Sequence, residues 1–214
     1  MRASLVLAGG RSTRFGDSDK SVAELAGTPM IRRVVDRVAG AVDEVVINCR
    51  ADQVDAIRDA LGGSGFDPTF AVDSDPDEGP MAGIARGLEA VSAEYTFVVA
   101  CDMPFVDPDF VAFLFERAAG RDAAVPRPDE WYQTTQAVYR TDAMAAACRR
   151  ALLPGPPPIR PPPAGPDGGL PRAPAIGGGA APPPLQHIKT PPGVPAAEHP
   201  PPAGEARPAR PAAA

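Results

Sequence analysis

The sequence predicts a three-layer α/β fold, a mostly parallel sheet with helices on both faces, over roughly its first 150 residues. Three observations predict it. Short apolar runs alternate with amphipathic helical patterns along residues 1–150, the succession that builds a parallel sheet from βαβ units. One of those runs, Tyr95–Ala100, is continuously apolar, as strands covered on both faces are. A glycine-rich turn follows the first run directly, where a parallel strand meets the start of its crossover connection.

The elements follow in order. Ser4–Leu7 reads as a buried strand, followed by a glycine-rich loop to about Lys20. Thr28 offers an N-cap with Pro29 at the first helical position, and proline is well placed there because its missing N–H is not needed. Ile31, Val34, Val35 and Val38 share one face of the helix that follows. Val45–Asn48 is the next strand, Asp52–Leu61 a helix stopped by Gly62-Gly63, and Phe70–Val72 a third strand. Met81–Val91 is helical and leads to the strand Tyr95–Ala100. Asp107-Pro108-Asp109 caps another helix, whose inner face carries Phe110, Phe113 and Leu114. Ala123–Val125 and Gln133–Tyr139 are strands, and Thr141–Leu152 is the last helix. No internal repeat is present.

After residue 153 the pattern stops. Eight of the 29 prolines precede residue 151 and 21 crowd the last 64 residues. Runs such as Pro156-Pro157-Pro158 and Pro161-Pro162-Pro163 donate no backbone hydrogen bonds and sustain neither helix nor sheet. Ordering 64 residues would cost on the order of 60–120 kcal/mol of backbone entropy, with few large apolar side chains to offset it. The sequence therefore divides into a domain over 1–153 and a Pro/Gly/Ala-rich, disordered or polyproline-like segment over 154–214.

Charge and residue usage exclude several classes. Before residue 151 there are 24 acidic and 16 basic residues, a net charge of −8, which disfavours general nucleic-acid binding. Three cysteines without paired spacing (Cys49, Cys101, Cys148) argue against a disulfide framework and a zinc site. The first apolar run is too short for a signal peptide, and no stretch approaches the roughly 18 apolar residues of a membrane span. The expectation is a cytoplasmic enzyme with no membrane or nucleic-acid partner.

The chemistry concentrates at two places. Leu7-Ala8-Gly9-Gly10-Arg11-Ser12-Thr13-Arg14-Phe15-Gly16, ending in Asp19-Lys20, follows the first strand. Glycines there let backbone N–H groups approach a polyphosphate, and Arg11, Arg14 and Lys20 add positive charge to an acidic domain. Lys20 stands out, because the chain has only one other lysine, Lys189. The spacing matches neither G-x-G-x-x-G nor the P-loop. The second place is Cys101-Asp102-Met103-Pro104 after the buried strand. One carboxylate beside phosphates is the usual way to hold Mg²⁺. Both histidines, His187 and His199, lie in the proline-rich segment, so Cys101 lacks an activating base and triad hydrolysis is ill served. Phosphoryl or nucleotidyl transfer, which works by positioning and charge neutralisation, fits better.

These motifs resemble the nucleotidyltransferases of the GT-A-like, Rossmann-related fold, and most closely the molybdenum cofactor guanylyltransferase (MobA) family. Gly27-Thr28-Pro29-Met30, Glu44-Val45-Val46-Ile47-Asn48, Gly79-Pro80-Met81-Ala82-Gly83 and Ala100-Cys101-Asp102-Met103-Pro104 extend the resemblance, and Gln133-Thr134-Thr135-Gln136-Ala137 does so more faintly. It covers roughly residues 3–150. The loop signature is shared with cytidylyl- and sugar nucleotidyltransferases. The resemblance implies that Leu7, Ala8, Gly9 and Gly10 line a nucleotide and that Lys20 contacts its phosphates. It implies that Asn48, Asp73 and Asp102 contact GTP, with Asp102 also holding Mg²⁺. The implied reaction joins GMP from GTP to the phosphate of molybdopterin, with Arg14, Lys20 and Asp102 as the catalytic residues.

The chain departs from that family after residue 150. Members continue with further α/β structure and an Asn-x-Asn-Thr-Pro segment, where this chain has His187-Ile188-Lys189-Thr190-Pro191. A frameshift in a GC-rich gene and a genuine disordered tail both account for the change. Three other functions stay open on sequence: a nucleotidyltransferase using CTP or a sugar phosphate, a GTP-binding chain without turnover, and a proline-rich interaction module.

Overall fold

The computed structural model describes residues 1–10, 19–73, 79–128 and 131–153. Arg11, Arg14 and the segment 154–214 lie outside the described residues.

The first strand, β1 (Arg2–Leu7), is followed by a small hairpin, β2 (Glu24–Leu25) and β3 (Thr28–Pro29). Ala26 and Gly27 turn it with φ of 50° and 71°, the positive pair that a tight two-residue hairpin requires. Helix α1 (Met30–Val38) then leads to β4 (Glu44–Cys49), helix α2 (Val54–Ala60) and β5 (Thr69–Val72). Helix α3 (Pro80–Glu89), β6 (Tyr95–Ala100) and α4 (Pro108–Ala118) follow, and then β7 (Ala123–Ala124), β8 (Gln136–Arg140) and α5 (Thr141–Leu152).

Six strands form one sheet in the order β5-β4-β1-β6-β8-β7. The four strands β5, β4, β1 and β6 run parallel, while β8 is antiparallel to β6 and β7 antiparallel to β8. On one face, Ile31, Val34 and Val38 of α1, Ile57 of α2 and Leu114 of α4 bury Val6, Ile47, Phe97 and Val99. On the other, Ile84, Ala85 and Leu88 of α3 and Ala145 and Cys148 of α5 cover Leu5, Val46, Val98 and Ala137. This is the predicted three-layer architecture.

Three local expectations are corrected. Thr28 does not cap α1: it pairs with Leu25 in the hairpin, and Pro29 is the residue that precedes the helix. The Asp52–Leu61 helix begins as a tighter 3₁₀ turn over Ala51–Gln53, which turns Gln53 inward. The last strand begins at Gln136 and not Gln133, because the Gln136 N–H closes a turn onto the Gln133 carbonyl. Asp107 does cap α4, accepting a hydrogen bond from the Asp109 N–H at 2.9 Å.

Candidate active site

The carboxyl ends of the four parallel strands carry the site. Strand register sets Leu7 beside both Asn48 and Ala100, and Asn48 beside Ala71. Hydrogen bonds then stitch the strand ends beyond the sheet. The Ala8 N–H donates to the Asn48 carbonyl at 2.8 Å, the Cys101 N–H to Leu7 at 3.0 Å, and the Asp73 N–H to Cys49 at 2.9 Å. Each chain leaves the sheet in a fixed direction, so the residues just past the strands occupy defined positions.

Over β4 and β5, Asn48 is 2% exposed. Its Nδ2 donates to the Ala71 carbonyl at 3.1 Å and to Asp73 Oδ1 at 2.6 Å. Gly9 presses against this pair: a Cβ there would stand 2.6 Å from Asp73 Oδ2 and 3.4 Å from Asn48 Oδ1. From the far side comes α3, whose Gly83 has no room for a Cβ against Asn48 Oδ1. The two glycines are required by close approach and not by backbone torsion.

Over β6, Lys20 pairs with Asp102 through Nζ and Oδ2, both side chains mostly shielded from solvent. The other oxygen, Asp102 Oδ1, is buried without a hydrogen-bond partner among the described residues. A carboxylate oxygen accepts only, so what satisfies this one must be a donor or a cation. Counted across the sheet to β6, Asn48 on β4 is two inter-strand spacings away, about 10 Å, and Asp73 past β5 is three, about 14 Å, with Leu7 and Gly9 between them and Asp102. Such a layout offers hydrogen-bonding groups at one end and a charge pair at the other.

Seven of the residues singled out from the sequence therefore converge: Leu7, Ala8, Gly9, Lys20, Asn48, Asp73 and Asp102. Gly10 is exposed and meets no described atom within 4 Å of an added Cβ, so it sits at the rim. Among the described residues no group of three or more His, Cys, Asp or Glu side chains could hold a metal. A hard cation that keeps most of its waters and takes one carboxylate fits what Asp102 offers.

Cys101 and Cys49 are buried neighbours of the site. Burial, reinforced by Asp102, pushes the Cys101 thiol up to about 12. Burial and Asp73 do the same for Cys49, also to about 12. Burial thus favours the protonated thiol at both, in keeping with Cys101 as a buried strand neighbour.

Three residues went unremarked as site residues in the sequence. Asp19 precedes Lys20 and accepts from the Ser21 N–H and hydroxyl at 2.9 and 2.8 Å. Arg50 follows β4 and donates to the Gly9 and Gly10 carbonyls, each at 3.3 Å. Gln53 is 1% exposed beneath both. The available signal was position: Arg50 follows β4 at the sheet end where Asp102 follows β6.

Among the described residues no helix is long and apolar enough to cross a membrane. The sequence model of a MobA-like NTP transferase domain matches residues 4–155. A protein of Natronomonas pharaonis named "Probable molybdenum cofactor guanylyltransferase" is 52% identical over 151 residues, 71% of this chain and 74% of that one. A protein of the same name from Haloferax mediterranei is 44% identical, over 72% of each chain. Among solved structures, the molybdopterin-guanine dinucleotide biosynthesis protein A of Archaeoglobus fulgidus superposes with a TM-score of 0.57 at 28% identity, covering 72% of this chain and 73% of that one. A nucleotidyl transferase from Methanothermobacter superposes at 0.61, covering 73% and 77% at 22% identity, which speaks to the fold alone. By the span of the family match and the identity of these relatives, the chain belongs to the MobA-like NTP transferase family.

Proposed function

We propose that this chain transfers GMP from GTP to the phosphate of a molybdopterin-type acceptor, releasing pyrophosphate, with Mg²⁺ as its metal. The names of the archaeal relatives support the substrates. The observation that carries the chemistry is the Lys20–Asp102 pair at the end of a central strand, with its buried Oδ1 unpartnered among the described residues. Residues 1–153 are the catalytic unit in this reading.

An oxygen of the acceptor phosphate forms a bond to the α-phosphorus of GTP. The bond from that phosphorus to the α,β-bridging oxygen breaks, and its electron pair leaves with pyrophosphate. Leu7, Ala8 and Gly9 line the nucleotide where no side chain obstructs it, with Gly10 at the rim. Asn48 and Asp73, locked together by their hydrogen bond, fix one end of the ligand. Lys20 neutralises phosphate charge at the other end, with Arg14 proposed as a second cation. Asp102 would hold Mg²⁺ through Oδ1 and keeps Lys20 oriented through Oδ2. When bound, that ion supplies further neutralisation of the phosphates.

Thermal unfolding with Mg²⁺ and, in turn, GTP, CTP, ATP and UTP tests the nucleotide, alongside transfer of label from α-labelled GTP to molybdopterin. Ligand at 100 times its dissociation constant adds about 2.7 kcal/mol. A magnesium-dependent shift with GTP and labelled product are expected. A shift with CTP in place of GTP would reassign the substrate, and none with any nucleotide would sink the reading.

A further inference from the structure

The segment that carries the phosphate-binding signature runs from Ala8, just past β1, to Asp19, just before Lys20. Both ends meet at one buried amide. Gln53 Nε2 donates to the Ala8 carbonyl at 3.0 Å and to Asp19 Oδ2 at 2.6 Å. Its Oε1 accepts from the Arg50 N–H at 2.9 Å. Both donors and the acceptor of the glutamine amide are thus engaged, a set that neither Glu nor Met can reproduce. Arg50 crosses the same base a second time. It donates to the Gly9 and Gly10 carbonyls and stands 3.9 Å from Asp19 Oδ2. Asp19 Oδ1 meanwhile takes the Ser21 N–H and hydroxyl, which fixes the backbone on both sides of Lys20.

We infer that Gln53, seconded by Arg50, is a positioning residue for nucleotidyl transfer: it closes the base of the Ala8–Asp19 loop and thereby aims Lys20 at Asp102. It touches neither Asp102 nor Lys20 in the described contacts and acts through Asp19. The inference rests on the guanylyltransferase reading for its catalytic half. Its geometric half, the setting of Lys20, stands apart from the reaction.

The full chain tests both halves, because Lys20 and Lys189 are its only lysines. Lysine labelled with ¹³C at the ε-carbon gives two signals, assigned by Lys189→Arg. In the wild type the Lys20 signal should be displaced from the Lys189 signal, and in Gln53→Met it should move toward it. Transfer by Gln53→Met should fall between about 10-fold and 10²-fold in kcat, the scale of a small misplacement, with a smaller change in KM for GTP. In a Lys20→Ala background the same substitution should cost less than about twofold, because residues acting as a unit are non-additive. A purely structural glutamine would instead give multiplicative losses and an unmoved Lys20 signal, and that result overturns the inference. If Gln53→Met does not melt cooperatively, Asp19→Asn, at a partly exposed side chain, carries the same three measurements with the same expected outcomes. If the wild type transfers no GMP, the guanylyltransferase reading fails, and the lysine spectrum still decides the brace.

Discussion

The two faces of the central sheet are packed differently: one is filled by branched and aromatic side chains, and the other mixes Leu5, Leu88 and Val98 with alanines and helix glycines. Between the sheet and α1, α2 and α4, Phe97 and Ile47 of the strands meet Ile57 and Leu114 of the helices, all fully buried. On the other side Ala71 and Ala137 of the strands meet Ala85 of α3 and Ala145 of α5, with Gly83 and Gly87 facing the strands. Gly87 accommodates Leu5, and Gly83 accommodates Asn48. The first face holds the sheet by bulk. The second lets α3 come close enough to set its N-terminal turn against a site residue. Bulk thus dominates one side of the strands, while the close helix approach that sets Asn48 comes from the other.

That division can be broken in several ways. The largest effect should come from Phe97→Ala on the bulky face, which should cost about 3–5 kcal/mol in denaturant unfolding, with GTP affinity of the folded protein unchanged. Lost affinity at full folding would mean the faces are not separable. Asp102→Asn should lower transfer by about 10² or more, roughly 2.7 kcal/mol on the barrier, and move the melting temperature by only a few degrees. A large thermal loss would recast Asp102 as structural.

The glycine pair sharpens the contrast within one helix. Gly87→Ala forces Leu5 to shift and should cost about 1–2 kcal/mol, the overpacking penalty less the gain in helix propensity. Gly83→Ala should cost a similar amount but also weaken GTP binding about tenfold, because it displaces Asn48. Equal binding by the two variants would refute the assignment of Asn48.

The smallest effect is alkaline. The Cys101 and Cys49 thiols are held up to about 12, from an ordinary 9.0. Each therefore stays protonated in the fold after it ionises in the unfolded chain. Their contribution is complete below pH 9 and is lost as pH rises from there toward 12. By pH 10 about 1 kcal/mol per thiol should already be lost, and Cys101→Ala should flatten the fall in denaturant stability above pH 9.

What the sequence disclosed follows the same physics. Thr141–Leu152 was readable end to end, because a strand leads into it and Leu153-Pro154 follows it. Asp102 was readable because a continuous apolar run ends one residue before Cys101. The hairpin of Glu24–Pro29 was not, since strands of two residues have no periodicity to detect. Gln53 was hidden differently. It reads as an ordinary polar residue in the first turn of a helix, and only the 3₁₀ start of that helix turns it under the loop. Lys20 and Asp102 could be named from charge beside a glycine turn and from the end of a buried strand, whereas Leu7, Ala8, Gly9, Asn48 and Asp73 were named by the family resemblance. The three that brace the loop act through pairings of distant segments, such as Gln53 with Asp19, that local pattern cannot encode.

The place of β1 in the sheet has a consequence for synthesis. Leu5 pairs with both Val46 and Val98, so the first strand made is flanked by strands made much later. At about 5–20 residues per second, roughly 5–20 s separate the emergence of β1 from that of β6. Throughout that interval Asp102 has not emerged to face Lys20. Nucleotide can therefore meet a finished site only after most of the domain has left the ribosome. The non-local pairing that completes the site also makes folding slow, so nucleotide binding reports on the long-range β1–β6 pairing and not on local structure alone.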